Sequence, residues 1–100
     1  MNVPAILEAL EDCPGLIANK LTDSRGHYCV LGWLIFKASD NPEIAFLELD
    51  LPPEFGLAFD DEDTYQLVDF NNRHYRSRKA RLEAVRGYVA AQAAAQDGGR

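Results

Sequence analysis

Four apolar positions near the start of the chain recur at the spacing of an α-helix: Ile6, Leu7, Leu10 and Cys13. Acidic residues take the polar positions among them: Glu8, Glu11 and Asp12. Asn2 is placed to cap this helix, with Pro4 in its first turn, where a missing N–H costs nothing. Pro14 and Gly15 predict its end, because the residue before proline avoids helical geometry and glycine accepts a left-handed cap.

Residues 28–38 are apolar on nearly every side, which favours a buried central helix, although periodicity alone also allows a buried strand. Gly32 costs about 1 kcal/mol in a helix, so it indicates that another element crosses closely there. Residues 23–26 have turn chemistry and allow one short β-hairpin near residues 20–28. Four aromatic residues are predicted to lie in the core: Tyr28, Trp33, Phe36 and Phe46.

The second half of the chain predicts three more helices. Asn41 and Pro42 begin a short one that Pro52 closes. Four acids at 60–63 begin another, which runs to about Asn71. Ser77 caps the last, whose apolar stripe is Leu82, Val85 and Val89, followed by an alanine-rich stretch at 90–95.

These elements predict a mainly α-helical protein: a single small domain of four to five short helices over residues 1–96, with a frayed tail at 97–100. The chain has 100 residues, 47% of them apolar, enough for one core. Its longest apolar run has nine residues, too short for a membrane helix, and no secretory pattern begins the chain, so a cytoplasmic protein is expected. Cys13 and Cys29 match no zinc spacing and are predicted to be reduced core thiols.

Charge is distributed unevenly along the chain, whose formal net charge is −6. Residues 1–63 carry three basic and thirteen acidic side chains, a net −10, whereas residues 64–100 carry seven basic and three acidic ones, a net +4. Such asymmetry bears on the choice of partner rather than on the fold.

The four acids that begin the fourth predicted helix are Asp60, Asp61, Glu62 and Asp63. Acids favour a helix N-terminus, and this structural interpretation is the stronger one; the spacing is not that of a calcium loop. The alternative is a surface that faces a partner. Together with Glu43, Glu48, Asp50 and Glu54, these acids would then present a field like that of a nucleic-acid backbone.

The basic run at 73–81 carries five cations: Arg73, Arg76, Arg78, Lys79 and Arg81. With His74 and Tyr75 it is the clearest nucleic-acid signal in the chain. The structural alternatives are a solvated turn and helix face, or pairing with the acids at 60–63. The acidity of the rest of the chain disfavours direct nucleic-acid binding.

Catalytic patterns are scarce in this sequence. His27 and His74 have no nucleophile or carboxylate pair at a suggestive spacing, and Cys29 lies in an apolar run, where thiol reactivity falls. No phosphate loop or paired metal ligands occur. We therefore expect a non-enzymatic protein without catalytic, cofactor or metal-binding residues.

The segment 28–34, read as aromatic-Cys-x-Leu-Gly-x-Leu, resembles a loose group of small uncharacterised phage and bacterial proteins. Over roughly residues 20–90 the resemblance continues through Leu51-Pro52, Gly56-Leu57, a helix end at 67–72 and a last helix at 82–89. The group has Leu-Asn-Asp where this chain reads Phe70-Asn71-Asn72 and lacks the acid. The resemblance implies a phage or mobile-element setting and no particular activity.

Small size, acidity and this resemblance lead to one functional hypothesis and one alternative. The first is a phage interaction module that inhibits a host nucleic-acid-handling protein through the acids at 60–63, as anti-CRISPR proteins do, acting as a monomer or homodimer. The alternative is a small nucleic-acid-binding or regulatory protein that acts through the basic run.

Overall fold

Four α-helices and one short 3₁₀ helix make up the described part of this computed structural model, which covers residues 1–23, 25–38, 51–58 and 60–98. The α-helices are α1 (Val3–Leu10), α2 (Val30–Ala38), α3 (Glu62–Asn71) and α4 (Arg78–Gly98), and the 3₁₀ helix spans Pro53–Phe55. Within those ranges β-pairing is limited to isolated bridges. The mainly helical fold class predicted from the sequence is confirmed.

Several predictions fall on residues outside the described ranges. They are the helix beginning at Asn41 and Pro42, the core position Phe46, and the acids Glu43, Glu48 and Asp50.

One hydrophobic core joins all four helices. α4 packs against α1 and α3, and α2 packs against the same two helices. The fully buried side chains include members of each helix: Ile6, Leu10, Leu34, Leu67, Val85 and Val89. The stripe predicted for the last helix is confirmed, as is the burial of both free cysteines. The stripe predicted for the first helix is buried at Ile6 and Leu10 and half-buried at Leu7. Because every helix contributes to this one core, the fold is a single small domain.

α1 begins as the sequence predicts and ends earlier. Asn2 Oδ1 accepts the backbone N–H of Ala5 at 3.4 Å, which caps the helix, but α1 stops at Leu10 rather than running to the proline. Gly15 does not take the predicted left-handed conformation. It is required for another reason, because a Cβ there would lie 2.8 Å from the Cβ of Arg78, where the chain passes the start of α4.

The start of α2 is built around a close backbone crossing. A Cβ on Gly32 would overlap the carbonyl oxygen of Leu21 and lie 2.9 Å from its carbonyl carbon. The same carbonyl accepts the N–H of Cys29 at 3.2 Å, so the crossing is also a hydrogen bond. The close approach predicted from Gly32 is therefore confirmed, and the crossing segment is the loop before α2.

A turn is observed between Asp23 and His27, where the sequence predicts one at 23–26; residue 24 lies outside the described ranges. Asp23 N–H donates to His27 O at 3.0 Å, and Gly26 has a φ of 78°. The backbone N–H of His27, helped by its ring, holds the pKa of the Asp23 carboxyl well below its usual range. Among the described residues of 20–28, antiparallel pairing is limited to one bridge between Thr22 and Tyr28, and the chain enters α2 two residues later. The short hairpin that the sequence allows is thus a turn rather than a pair of strands.

The side chain of Asn71, at the end of α3, is 1% exposed and ties together three parts of the chain. Its Oδ1 accepts the N–H of Val30, the first residue of α2, at 3.2 Å. Its Nδ2 donates to Ile17 O at 3.0 Å and to Asn72 Oδ1 at 3.0 Å. Asn72 Oδ1 in turn accepts the N–H of Asn19 at 2.9 Å. The loop between α1 and α2 is therefore held against the end of α3 by two neighbouring amides.

Of the three described aromatic residues assigned to the core, Trp33 is confirmed and Tyr28 is confirmed in part. Trp33 is 8% exposed and donates its indole N–H to Ala9 O, which links α2 to α1, whereas Tyr28 is half-buried. The prediction for Phe36 is wrong, since it is 38% exposed. Its ring stacks on that of Tyr28, with centroids 5.0 Å apart, and lies 5.5 Å from the ring of Trp33.

The last helix is capped as predicted, since Ser77 Oγ accepts the N–H of Ala80 at 3.0 Å. α4 continues to Gly98, so the first two residues of the predicted tail are helical, and residues 99–100 lie outside the described ranges.

Replacing Gly32 by alanine should destabilise the protein strongly, by about 3 kcal/mol, because the added methyl group displaces the Leu21 carbonyl and breaks its hydrogen bond. Gly87→Ala is the matched control. A Cβ on Gly87 meets nothing within 4 Å inside α4, so this change should stabilise by about 0.5–1 kcal/mol. Urea denaturation measures both; equal effects from the two substitutions would contradict the crossing.

Asn71→Ala should also cost about 3 kcal/mol, because it leaves the Val30 N–H and the Ile17 carbonyl buried without their partner. Gln66→Ala, at an exposed position of the same helix, should change stability by less than about 0.5 kcal/mol. The free energies of unfolding give the comparison. A small loss for Asn71→Ala would show that water replaces the amide.

Candidate functional site

The four acids at 60–63 lie at the beginning of α3, and all four are exposed. Asp61 is the N-cap, and its Oδ1 accepts the N–H of Asp63 at 3.4 Å. Glu62 and Asp63 occupy the first turn, where the positive end of the helix dipole favours acids. The helix-start role predicted from the sequence is therefore observed for three of the four acids.

These carboxylates are only weakly engaged by the rest of the protein. Asp63 lies 3.7 Å from the amino group of Met1 and keeps half of its side chain exposed, and such pairs contribute little. Glu62 accepts a hydrogen bond from Gln66 at 3.3 Å. Asp60 has no ion-pair partner among the described residues. The charge of the cluster thus remains exposed to solvent.

Further acids follow along α1. An open groove of about 500 Å³ is lined by Glu8, Glu11, Asp12, Glu54 and Lys37, among others. Lys37 donates to Asp12 Oδ2 at 2.7 Å, and this hydrogen bond lowers the pKa of Asp12. The other three carboxylates have no cation partner within the part of the chain that the structure describes. The polar face of the first helix predicted this exposure, but the sequence did not reveal that Glu54 joins it.

The two groups of acids adjoin each other through the N-terminal residues. Met1 reaches Asp63, and the next residue, Asn2, donates its backbone N–H to Phe55 O at 2.8 Å and its Nδ2 to Glu54 O at 2.9 Å. Carboxylates therefore extend from the start of α3 past the 3₁₀ helix to the end of α1. We call this the acidic surface; it consists of Glu8, Glu11, Asp12, Glu54 and residues 60–63.

Two arginines of the basic run are engaged by the fold itself. Arg81 Nε donates to Asn71 O at 2.7 Å and its Nη2 to Arg73 O at 3.0 Å, with the guanidinium 5.1 Å from the centroid of the Tyr75 ring. Arg73 lies 3.5 Å from Asp69 and 4.8 Å from the Phe70 ring centroid. A cation at the C-terminal carbonyls of a helix is favourable, so Arg81 acts as a cap for α3.

The other three cations of the run are exposed: Arg76, Arg78 and Lys79. None has an ion-pair partner among the described residues. Arg78 and Lys79 occupy the first turn of α4, where the helix dipole disfavours positive charge. The fold therefore gains nothing electrostatically from placing them there.

The acidic cluster and the basic run do not neutralise each other. No ion pair joins 60–63 to 73–81 within the described ranges. Arg73 pairs instead with Asp69, a residue nearer the C-terminal end of α3. The internal pairing considered from the sequence is thus not observed for these residues. The two charged regions stay separate.

The two thiols and the imidazole of His27 are engaged in local hydrogen bonds. Cys29 Sγ accepts the N–H of Gly32 at 3.4 Å, and Cys13 Sγ donates to Gly15 O at 3.3 Å. Burial raises the pKa of both thiols. His27 Nδ1 is hydrogen-bonded to Asp23 Oδ2 at 2.9 Å. In the part of the chain that is described, no three His, Cys, Asp or Glu side chains are grouped to hold a metal ion.

Comparisons with protein-family models, curated proteins and solved structures found no match for this chain. None of the described helices is long and apolar enough to cross a membrane.

Replacing Arg81 by alanine should destabilise the protein by about 2 kcal/mol, because the carbonyls at the end of α3 lose two charge-assisted hydrogen bonds. Lys79→Ala removes the same charge from the exposed side of α4 and should change stability by less than about 0.5 kcal/mol. Thermal and urea unfolding of the two variants measure their losses of stability. Losses of similar size would mean that Arg81 is no more structural than its neighbour.

Proposed function

We propose that this chain is a non-enzymatic phage or mobile-element protein that acts inside a bacterial host cell as an acidic inhibitor, in the manner of anti-CRISPR proteins. Its partner is a host protein with a basic groove that handles nucleic acid. The acidic surface occupies this groove in place of the phosphate backbone.

The observation that carries this proposal is the separation of charge. The acidic surface keeps its carboxylates exposed, and among the described residues it is paired only at Asp12, with Lys37, and at Asp63, with the Met1 amino group. The cations of the basic run lie elsewhere, on the α3 carbonyls or at the start of α4. An acidic surface that its own protein neutralises only in part attracts a basic partner and speeds the encounter with it.

A second function is favoured by a different observation. Arg76, Arg78 and Lys79 are exposed and unpaired among the described residues, as expected of phosphate-binding side chains. This supports a small nucleic-acid-binding or regulatory protein. Three cations are few, because binding to phosphates requires several simultaneous contacts, and the net charge of −6 opposes it. The inhibitor is therefore the better-supported proposal.

The acidic surface is tested by a double substitution that spares the Asp61 cap, namely Asp60→Lys with Glu62→Lys. Capture of a partner from nuclease-treated bacterial lysate, quantified by mass spectrometry, should fall about tenfold or more, because opposed charges become like charges. The control has the same change in net charge on α4, through Glu83→Lys, Ala94→Lys and Ala95→Lys, and should capture the partner as the natural chain does. Equal capture by the two variants would contradict a specific acidic surface.

A DNA-binding measurement distinguishes the second function from the first. Binding of the natural chain to a labelled DNA duplex at low salt, lost when Arg76, Arg78 and Lys79 are all replaced by alanine, would favour nucleic-acid binding. With three phosphate contacts, affinity should then fall about fortyfold between about 50 and 200 mM salt. No binding at low salt is the result expected of the inhibitor.

A further inference from the structure

An open groove of about 420 Å³ lies between α3 on one side and, on the other, the loop that leads into α2 together with the first turn of α2. Its apolar walls are formed by Leu21 and Leu31 on one side and by Tyr65 and Val68 on the other. Its volume is within the range of sites that accept apolar side chains or small ligands. The function proposed above does not use this groove.

Tyr65 is the most exposed large hydrophobic residue in the described part of the chain, at 74%. Among the described residues, the Tyr65 hydroxyl makes no hydrogen bond and the Tyr65 ring makes no contact with another aromatic ring. The tyrosines at the other end of α3 differ, since Tyr75 donates to Phe70 O at 2.9 Å and Tyr88 stacks on Phe70. An exposed tyrosine that the fold does not use is typical of the residues that dominate protein interfaces.

The groove adjoins the acidic surface through α3 itself. Asp61 and Glu62 stand one helical turn before Tyr65, at spacings that place them next to it along the helix. Lys20, on the opposite loop wall, also lines the groove. The electrostatic field therefore directs a positive group toward the start of α3 and away from the loop.

We propose that this groove binds a peptide segment of the partner in which a lysine or arginine stands next to an apolar side chain. The cation lies at Asp61 and Glu62, and the apolar side chain packs between Tyr65 and Leu31. This inference rests on the proposed function, because it takes the acidic surface to be the place where a basic partner binds. It adds that affinity depends on apolar contact at Tyr65 as well as on charge.

Two short synthetic peptides of equal charge serve as probes, one of alternating lysine and leucine and the other of alternating lysine and serine. Both are titrated into the full-length chain labelled with ¹⁵N and followed by NMR. The lysine–leucine peptide should bind about tenfold more tightly and shift the amide signals of Leu21, Leu31 and Val68. The lysine–serine peptide should shift signals near the acids alone.

Tyr65→Ala should lower the affinity for the lysine–leucine peptide about fivefold or more, because the apolar contact is lost. The affinity for the lysine–serine peptide should be unchanged. Tyr65→Phe keeps the ring and should retain the affinity. Gln66→Ala, at the next exposed position, is the matched control and should behave as the natural chain does.

The outcomes distinguish failure of the proposed groove from failure of the acidic surface as a binding site. Equal affinities for the two peptides, unchanged by Tyr65→Ala, would overturn the groove and leave the acidic surface standing. Failure of both peptides to bind would overturn both. A dimer of the natural chain in sedimentation that Tyr65→Ala converts to monomer would show a second copy in the groove, which also overturns the inference.

Discussion

The buried amide of Asn71 is the interaction on which the rest of this fold depends. The loop after α1 and the first turn of α2 both have backbone groups that must be paired inside the protein, and neither has strand partners long enough to pair them. Asn71 supplies an acceptor to Val30 and a donor to Ile17 from one side chain, and Asn72 extends the pairing to Asn19. The crossing at Gly32 is possible because this loop is held in place.

At the end of α3, the cations of one basic run lie in two different environments. Arg81 returns from α4 to the carbonyl of Asn71, so the residue that fixes the loop is itself held by a cation. Arg73 covers the Phe70 ring, while Lys79 and its exposed neighbours contact no acid in the described ranges. A basic run therefore overstates the charge available for binding, since part of it is engaged by helix carbonyls and aromatic rings.

The beginning of α3 combines stability with exposure in the same side chains. Asp61 caps the helix, and Glu62 interacts favourably with the helix dipole. Both carboxylates remain exposed to solvent, one turn before Tyr65. Helix-start acids need not be buried to stabilise a helix, because the dipole acts through the first turn. The structural and the partner-facing interpretations of these acids are therefore compatible, and a partner that reaches them meets an apolar groove alongside.

The sequence by itself determined the local features: the caps at Asn2 and Ser77, the apolar stripes of α1 and α4, and the need for a close crossing at Gly32. These depend on groups three or four residues apart or on the size of one side chain, and both can be read from the order of residues. Only the tertiary structure decided that Asn71 is buried against Ile17, 54 residues away, that Arg81 is structural where Lys79 is exposed, and that Phe36 faces solvent. It also placed Tyr65 on the wall of a groove whose other wall is formed by the loop before α2 and the first turn of α2. Such pairings depend on how helices pack, because identical residue types in one run acquire different roles once their distant neighbours are set.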